Sequence, residues 1–105
     1  MECSDQLNIK LAEWVIASLR PLREPNAISA ISVQAFWGRR RFELTVRRRG
    51  PRDHTIYTWS VVEVDAEGNP LEQGLVADSA SRTFTSPEDA YWDASETVQA
   101  AISQP

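Results

Sequence analysis

Seven of the eleven Lys and Arg residues of this 105-residue chain fall within residues 37–52, which read WGRRRFELTVRRRGPR. Six of them form two arginine clusters, residues 39–41 and residues 47–49, on either side of a segment in which apolar and polar residues alternate. Guanidinium groups hold phosphate and carboxylate oxygens through paired N–H donors. This stretch is therefore where we first expect binding chemistry.

The sequence offers little for catalysis. The one imidazole, His54, follows Asp53 in a predicted turn, and no G-x-S-x-G elbow or local cysteine context accompanies it. Four glycines occur, none in a phosphate-binding or dinucleotide-binding loop pattern. We therefore expect a protein that is not an enzyme and holds no cofactor.

No metal site is predicted either. Cys3 has no second cysteine for a disulfide, and no His or Cys pair has zinc-ligand spacing. DAEGN places Asp65, Glu67 and Asn69 at alternate positions, as a calcium loop does, but lacks the bidentate glutamate that closes such a loop. A hairpin turn explains the same residues.

Charge is divided unevenly along the chain. The net charge is −4, yet residues 1–52 hold ten Lys and Arg against five Asp and Glu, whereas residues 53–105 hold one Arg against ten Asp and Glu. This asymmetry indicates an interaction surface. The apolar stretch LAEWVIASL is shorter than the about 20 residues that cross a bilayer. Because the acidic start MECSD also differs from a secretory signal, we expect a cytoplasmic protein without a membrane partner.

Two helices are predicted, one near each end. Residues 7–22 carry apolar side chains at helical spacing with few polar ones, so this helix should be covered on more than one side or meet another chain. Pro21 would end it. The last helix begins with Ser86 as its cap and Pro87 at its first position. Its predicted inner face consists of Tyr91, Ala94, Val98 and Ile102.

Between the helices, alternation predicts strands. Residues 31–37 alternate with a period of two, although a helix over residues 26–36 is an open alternative. Residues 41–47 alternate most clearly, and residues 55–64 are apolar on both faces, as in a central strand. The remaining predicted parts are a hairpin over residues 65–70, a looser segment over residues 71–79 and a short strand near residues 82–85.

The predicted fold class is α+β, with one domain over residues 1–105. An antiparallel three- to four-stranded sheet is flanked by an N-terminal and a C-terminal helix, in α-β-β-β-(β)-α order. FTSPEDAYWDASETVQAAI resembles the strand-then-helix ending of small bacterial domains. The element order also resembles the double-stranded-RNA-binding fold, whose second helix begins with a basic cluster where this chain has Glu88, Asp89 and Asp93. The resemblance therefore implies a shape and no function.

The outer sheet surface is the predicted binding surface. If the even-numbered residues of the 56–64 strand face the core, Tyr57 and Trp59 lie outside beside the arginines, where they could stack the bases of single-stranded RNA or DNA. Trp92, on the polar row of the last helix, is either a contact residue or a cover for the sheet edge. The candidate binding residues are Arg39, Arg40, Arg41, Arg47, Arg48, Arg49, Tyr57, Trp59 and Trp92.

Three interpretations of these residues stay open. Nucleic-acid binding is one, although a sequence pI of about 4.9 counts against it. In the second, the N-terminal helix covers the outer face and the arginines pair with nearby carboxylates. The third, which we adopt, is a non-catalytic protein-interaction or regulatory module that joins its basic patch and acidic half to a protein partner or to a second copy as a homodimer.

Overall fold

The computed structural model describes residues 8–9, 16, 19, 29–50 and 55–103. One antiparallel sheet has the strand order β1-β2-β3-β4-β5. The elements are β1 (Asn8–Ile9), β2 (Ala30–Trp37), β3 (Arg40–Arg49), β4 (Ile56–Val64), β5 (Val76–Asp78) and the C-terminal helix (Pro87–Ser103). The α+β class, the antiparallel sheet and the C-terminal helix are confirmed. The two-residue β1 adds a fifth strand, beyond the three to four that the alternation predicts.

β2 and β3 form a hairpin around Gly38. This glycine has a φ of +59°, a conformation that tight hairpin turns require and side chains with a Cβ disfavour. The alternation predicted for both strands is present, since Val33 and Ala35 of β2 and Phe42 of β3 are buried. The helical alternative is therefore wrong for residues 30–36, and residues 26–28 lie outside the described residues.

β4 turns to the core the row of side chains opposite to the predicted one. Val46 of β3 pairs with Trp59, so the odd-numbered residues of β4 share the core face. Tyr57 and Trp59 are each 2% exposed, and Val61 is fully buried. The prediction that these residues lie on the outer surface is wrong. Large rings bury far more apolar area beneath a helix than the hydroxyl residues between them would.

The region after β4 differs from the prediction in two places. The supposedly looser segment contains β5, which pairs with β4. The strand predicted near residues 82–85 is reduced to one bridge between Phe84 and Tyr57. The hairpin over residues 65–70 is confirmed: Asp65 Oδ1 accepts hydrogen bonds from the amides of Glu67 and Asn69, both at 2.9 Å. This carboxylate therefore stabilises its own turn.

The C-terminal helix covers one face of the sheet. Its start is as predicted, since the hydroxyl oxygen of Ser86 accepts a hydrogen bond from the Asp89 amide at 3.2 Å. The predicted inner face packs against the strands, and the buried residues that the helix adds to the core are Ala90, Tyr91, Ala94 and Val98. Within the described residues, no helix combines the length and apolar character needed to cross a membrane.

Most of the predicted N-terminal helix lies outside the described residues. Ile16 and Leu19 are helical, and Leu19 is fully buried in the core. Its carbonyl oxygen accepts a hydrogen bond from Tyr57 Oη at 3.0 Å, so Leu19 lies on the same side of the sheet as the C-terminal helix. Ile9 was expected in this helix and instead lies in β1, paired with Ala35. Pairing satisfies backbone groups that the edge of β2 would otherwise expose.

Candidate anion-binding face

The sheet face that points away from the C-terminal helix is the candidate site, and we call it the open face. Side chains of each strand alternate between this face and the core. Its residues include Ser32, Gln34, Phe36, Arg41, Glu43, Thr45, Arg47, Arg49, Ile56, Thr58, Ser60 and Val62. The described core cluster, including Leu19, lies on the other side. The described residues therefore do not support the interpretation in which the N-terminal helix covers this face.

The pleat of β3 divides the six candidate arginines between different surfaces. Arg40 and Arg48 lie on the core side of β3. Arg41, Arg47 and Arg49 lie on the open face, and Arg39 is exposed in the turn before β3. The two ends of the open-face set, Arg41 and Arg49, are about 27 Å apart at the usual rise of a strand. The six arginines therefore do not form one continuous cationic patch but lie in several different local environments.

Arg40 belongs to a structural ion pair. Its Nε and Nη2 donate to the two carboxylate oxygens of Glu63 at 3.0 and 2.8 Å. Glu63 is 7% exposed and also accepts a hydrogen bond from the Leu75 amide at 3.0 Å. Hydrogen bonding from Arg40 holds the pKa of the Glu63 carboxyl below its ordinary value of 4.5, and the same bonds raise the pKa of Arg40. The guanidinium group of Arg40 is therefore already engaged by Glu63 within the molecule.

Arg41 and Arg48 also have partners inside the chain. Arg41 Nη1 donates to the carbonyl oxygen of Ala66 at 2.9 Å, and its guanidinium carbon lies 5.4 Å from the centre of the Phe36 ring. Arg48 Nη1 donates to the carbonyl oxygen of Leu19 at 3.3 Å. Both contacts tie β3 to neighbouring segments, which is a structural role.

Arg47 and Arg49 differ from the others because the described hydrogen bonds of their side chains go to hydroxyl groups. Arg47 Nη1 donates to Ser60 Oγ at 3.1 Å, and Arg49 Nε donates to Thr58 Oγ1 at 3.3 Å. Both side chains are exposed. The ion pairs found among the described residues involve neither guanidinium. These two cations therefore keep most of their N–H donors for an external anion.

A cleft of about 330 Å³ adjoins the two arginines. Its walls are formed by Arg47, Arg49, Thr58, Trp59, Ser60, Asp78, Ser79 and Ala80. Ser79 is 2% exposed, and its hydroxyl oxygen accepts a hydrogen bond from the Trp59 amide at 3.2 Å. Ala80 has a φ of +55°, an uncommon conformation for a residue with a Cβ. The cleft therefore combines guanidinium groups, hydroxyl groups and a strained turn.

The rings of the candidate aromatic residues do not lie on the open face with the arginines. Tyr57 and Trp59 are in the core, and Trp59 Nε1 donates to Asp93 Oδ2 at 2.9 Å. Trp92 is 68% exposed but lies on the C-terminal helix, in the other layer of the fold. On the open face, Phe36 lies beneath Arg41. The described open face therefore lacks the free stacking rings that the nucleic-acid hypothesis needs.

The uneven division of charge along the chain does not separate the charges in space, because carboxylates lie among the arginines. Glu43 lies between Arg41 and Arg47 on the open face, and Asp78 forms part of the cleft wall. Asp78 Oδ1 accepts a hydrogen bond from the Ala80 amide at 2.8 Å. The positive potential is therefore local to the Arg47 and Arg49 end of β3.

Ser60, Ser79 and Ala80 carry no sequence signal that marks them as cleft residues. Single serines and alanines are common everywhere, and here the pairing of β4 with β5 brings them beside the arginines. His54 lies outside the described residues. In the described ranges, no three or more His, Cys, Asp and Glu side chains are placed to hold a metal ion.

Comparison of the chain with protein-family models, with curated proteins and with solved structures finds no match.

Proposed function

We propose that the protein is a non-catalytic interaction module that binds an acidic segment of a partner protein on its open face. One observation carries the proposal: Arg47 and Arg49 lie side by side on an exposed sheet face and have no ion pair with the described carboxylates. Two such cations attract an anionic partner and fix its position through N–H donors. Binding at this end of β3 is therefore selective for carboxylate-rich or otherwise anionic chains.

The neighbouring groups support an extended ligand. Ser32 and Thr45 are joined through their hydroxyl groups at 2.6 Å, and Thr58 and Ser60 continue the row of hydroxyls across β4. Hydroxyl groups accept and donate hydrogen bonds to a passing peptide backbone. Val76, at the adjoining edge strand, is 71% exposed and offers an apolar contact. Arginine, hydroxyl and apolar groups together resemble the mixed composition of transient protein interfaces.

The proposal extends to location and assembly. We place the module in the cytoplasm, where its partner is another protein or the acidic surface of a second copy in a homodimer. The exposed acidic side of the C-terminal helix, with Glu88, Asp89 and Glu96 around Trp92, has the charge that the open face attracts. Nucleic-acid binding is the runner-up, since the same arginines would hold phosphates but the exposed rings are missing.

A fluorescently labelled oligoglutamate peptide tests the proposal by anisotropy at low salt. We expect saturable binding that weakens as salt is added, and a loss of about tenfold or more in the Arg47→Met/Arg49→Met variant, because charge-assisted hydrogen bonds are removed. Arg39→Met is the matched control, since it removes an exposed cation at the other end of β3.

Two outcomes would overturn the proposal. One is an equal loss of peptide binding in the Arg39→Met control, which would show general attraction by net charge. The other is tighter binding of a labelled single-stranded oligonucleotide than of the peptide with the same dependence on Arg47 and Arg49, which would favour the nucleic-acid alternative.

A further inference from the structure

We infer that the cleft beside Arg47 and Arg49 is a phosphate-recognition site, and that the partner segment on the open face carries a phosphorylated side chain there. This inference rests on the proposed function and names the chemical group that the open face binds. Three features of the cleft support it: the direction of the guanidinium groups, the buried hydroxyl of its floor and its size.

Both guanidinium groups lean the same way across β4. Arg47 is paired with Thr58 in the ladder but donates to Ser60, and Arg49 is paired with Ile56 but donates to Thr58. Each arginine therefore reaches one position diagonally toward β5 and the turn that follows it. The two side chains therefore lean in parallel along the cleft wall, and a hydroxyl group holds each in that direction.

The floor of the cleft presents a hydroxyl donor. Ser79 is 2% exposed, and its oxygen already accepts the Trp59 amide, so its O–H proton is the part of the group left to donate. The described contacts include no acceptor for that proton. Beside it, Ala80 has a left-handed φ of +55°, a strained conformation of the kind that clusters at ligand-binding sites.

The charge and volume of the cleft favour phosphate over carboxylate. Two guanidinium groups outnumber the single carboxylate of Asp78, whose Oδ1 is already bonded to the Ala80 amide. A phosphorylated side chain carries a charge of about −1.5 to −2 and three acceptor oxygens, which match two arginines and the hydroxyl groups better than one carboxylate does. A cleft of about 330 Å³ accommodates such a group with room for water.

The cleft opens along the open face, because four of its lining residues, Arg47, Arg49, Thr58 and Ser60, belong to that face. A phosphate attached to an extended chain can therefore enter while the chain continues over the hydroxyl row. This continuity favours a phosphorylated protein segment over a free ion.

Nuclear magnetic resonance titration of the full chain tests the inference. The probes are three short peptides that are identical and uncharged except at one central residue, which is phosphoserine, glutamate or serine. Inorganic phosphate at matched ionic strength is the fourth probe. We expect the amide signals of Ser79 and Ala80 to shift saturably with the phosphoserine peptide, with affinity at least about tenfold above the glutamate peptide. Arg49→Gln and Ser60→Ala should each weaken this binding by about fivefold or more.

Ser95→Ala is the matched control, because it removes a hydroxyl on the C-terminal helix, which packs against the opposite side of the sheet from the open face. Folding of each variant is checked by its amide spectrum. Equal affinity for the phosphoserine and glutamate peptides would overturn the inference and leave the proposed function standing, whereas binding of neither peptide would overturn both. Equal affinity for inorganic phosphate and the phosphoserine peptide would assign the cleft to a free ion and also overturn the inference.

Discussion

Substituting Arg40 and Arg49 one at a time should separate stability from binding. Both are arginines of one strand and both belong to the clusters that the sequence presents as a single cationic patch. Arg40 is paired with a buried carboxylate, whereas Arg49 contacts a hydroxyl on the open face. Arg40→Met should therefore destabilise the fold and leave peptide binding intact, and Arg49→Met should do the reverse.

The cost of Arg40→Met follows from the burial of the pair. The Glu63 side chain is 10% exposed and that of Arg40 is 41% exposed, so the pair lies between a fully buried and a surface ion pair. Removing one partner of a buried pair costs about 3–5 kcal/mol, and exposed pairs contribute about 0–1 kcal/mol. Because the Leu75 amide still bonds Glu63, we expect a loss of about 2 kcal/mol in the free energy of unfolding.

Urea unfolding measures this difference. With a slope of about 1.5 kcal/mol per molar for a chain of this size, Arg40→Met should lower the midpoint by about 1.3 M, and Arg49→Met should change stability by less than about 0.5 kcal/mol. The double variant Arg40→Met/Glu63→Met should recover part of the loss, because it leaves no unpaired buried charge. A loss below about 0.5 kcal/mol in Arg40→Met, or a tenfold loss of peptide binding, would refute the assignment of Arg40 as structural.

Stability should fall in acid, because the pKa of Glu63 is lower in the folded state than its ordinary 4.5: its contribution is complete above the unfolded pKa and is lost as the pH falls through the folded pKa. Urea midpoints measured across this range should fall less steeply in Glu63→Gln, and identical slopes would contradict the argument. Trp59→Phe should cost about 2 kcal/mol in urea unfolding, since it removes the 2.9 Å hydrogen bond to Asp93 and core volume. Trp92→Phe, at a ring 68% exposed, is its control and should stay within about 0.5 kcal/mol. Gly38→Ala should cost about 1 kcal/mol by thermal unfolding, from its φ of +59° alone, because a Cβ there meets nothing within 4 Å; an unchanged midpoint would exclude that strain.

Short sequence patterns correctly predicted the structural features that depend only on neighbouring residues. The alternation of Phe42, Leu44 and Val46 against polar neighbours sets which side of β3 is buried, and the structure buries all three. Ser86 begins the C-terminal helix because its hydroxyl oxygen accepts the hydrogen bond of a nearby amide. The turn at Gly38 likewise depends on a few adjacent residues. Each of these features is determined by a few residues that are adjacent in sequence, so the local sequence is enough to predict it.

The candidate site was predictable only in part. The arginine clusters mark β3 as cationic, but the sequence does not separate Arg40, which pairs with Glu63, from Arg49, which does not. Their partners lie on the next strand, 23 residues along the chain from Arg40 and 9 residues from Arg49. Ser79 and Ala80 enter the cleft only because β5 pairs with β4. Such neighbours depend on strand order, which residue spacing does not state.

The amino-acid sequence by itself determined the sheet-and-helix composition, the buried side of β3 and the position of the charges along the chain. The tertiary structure alone decided which side of β4 is buried, because both rows of TIYTWSVVEV are rich in β-branched or aromatic residues. Placing Tyr57 and Trp59 beneath the C-terminal helix buries the larger rings and leaves Thr58 and Ser60 on the open face. Which face of a strand is buried depends on the elements that pack against it, and the sequence of the strand alone does not say which face another element covers.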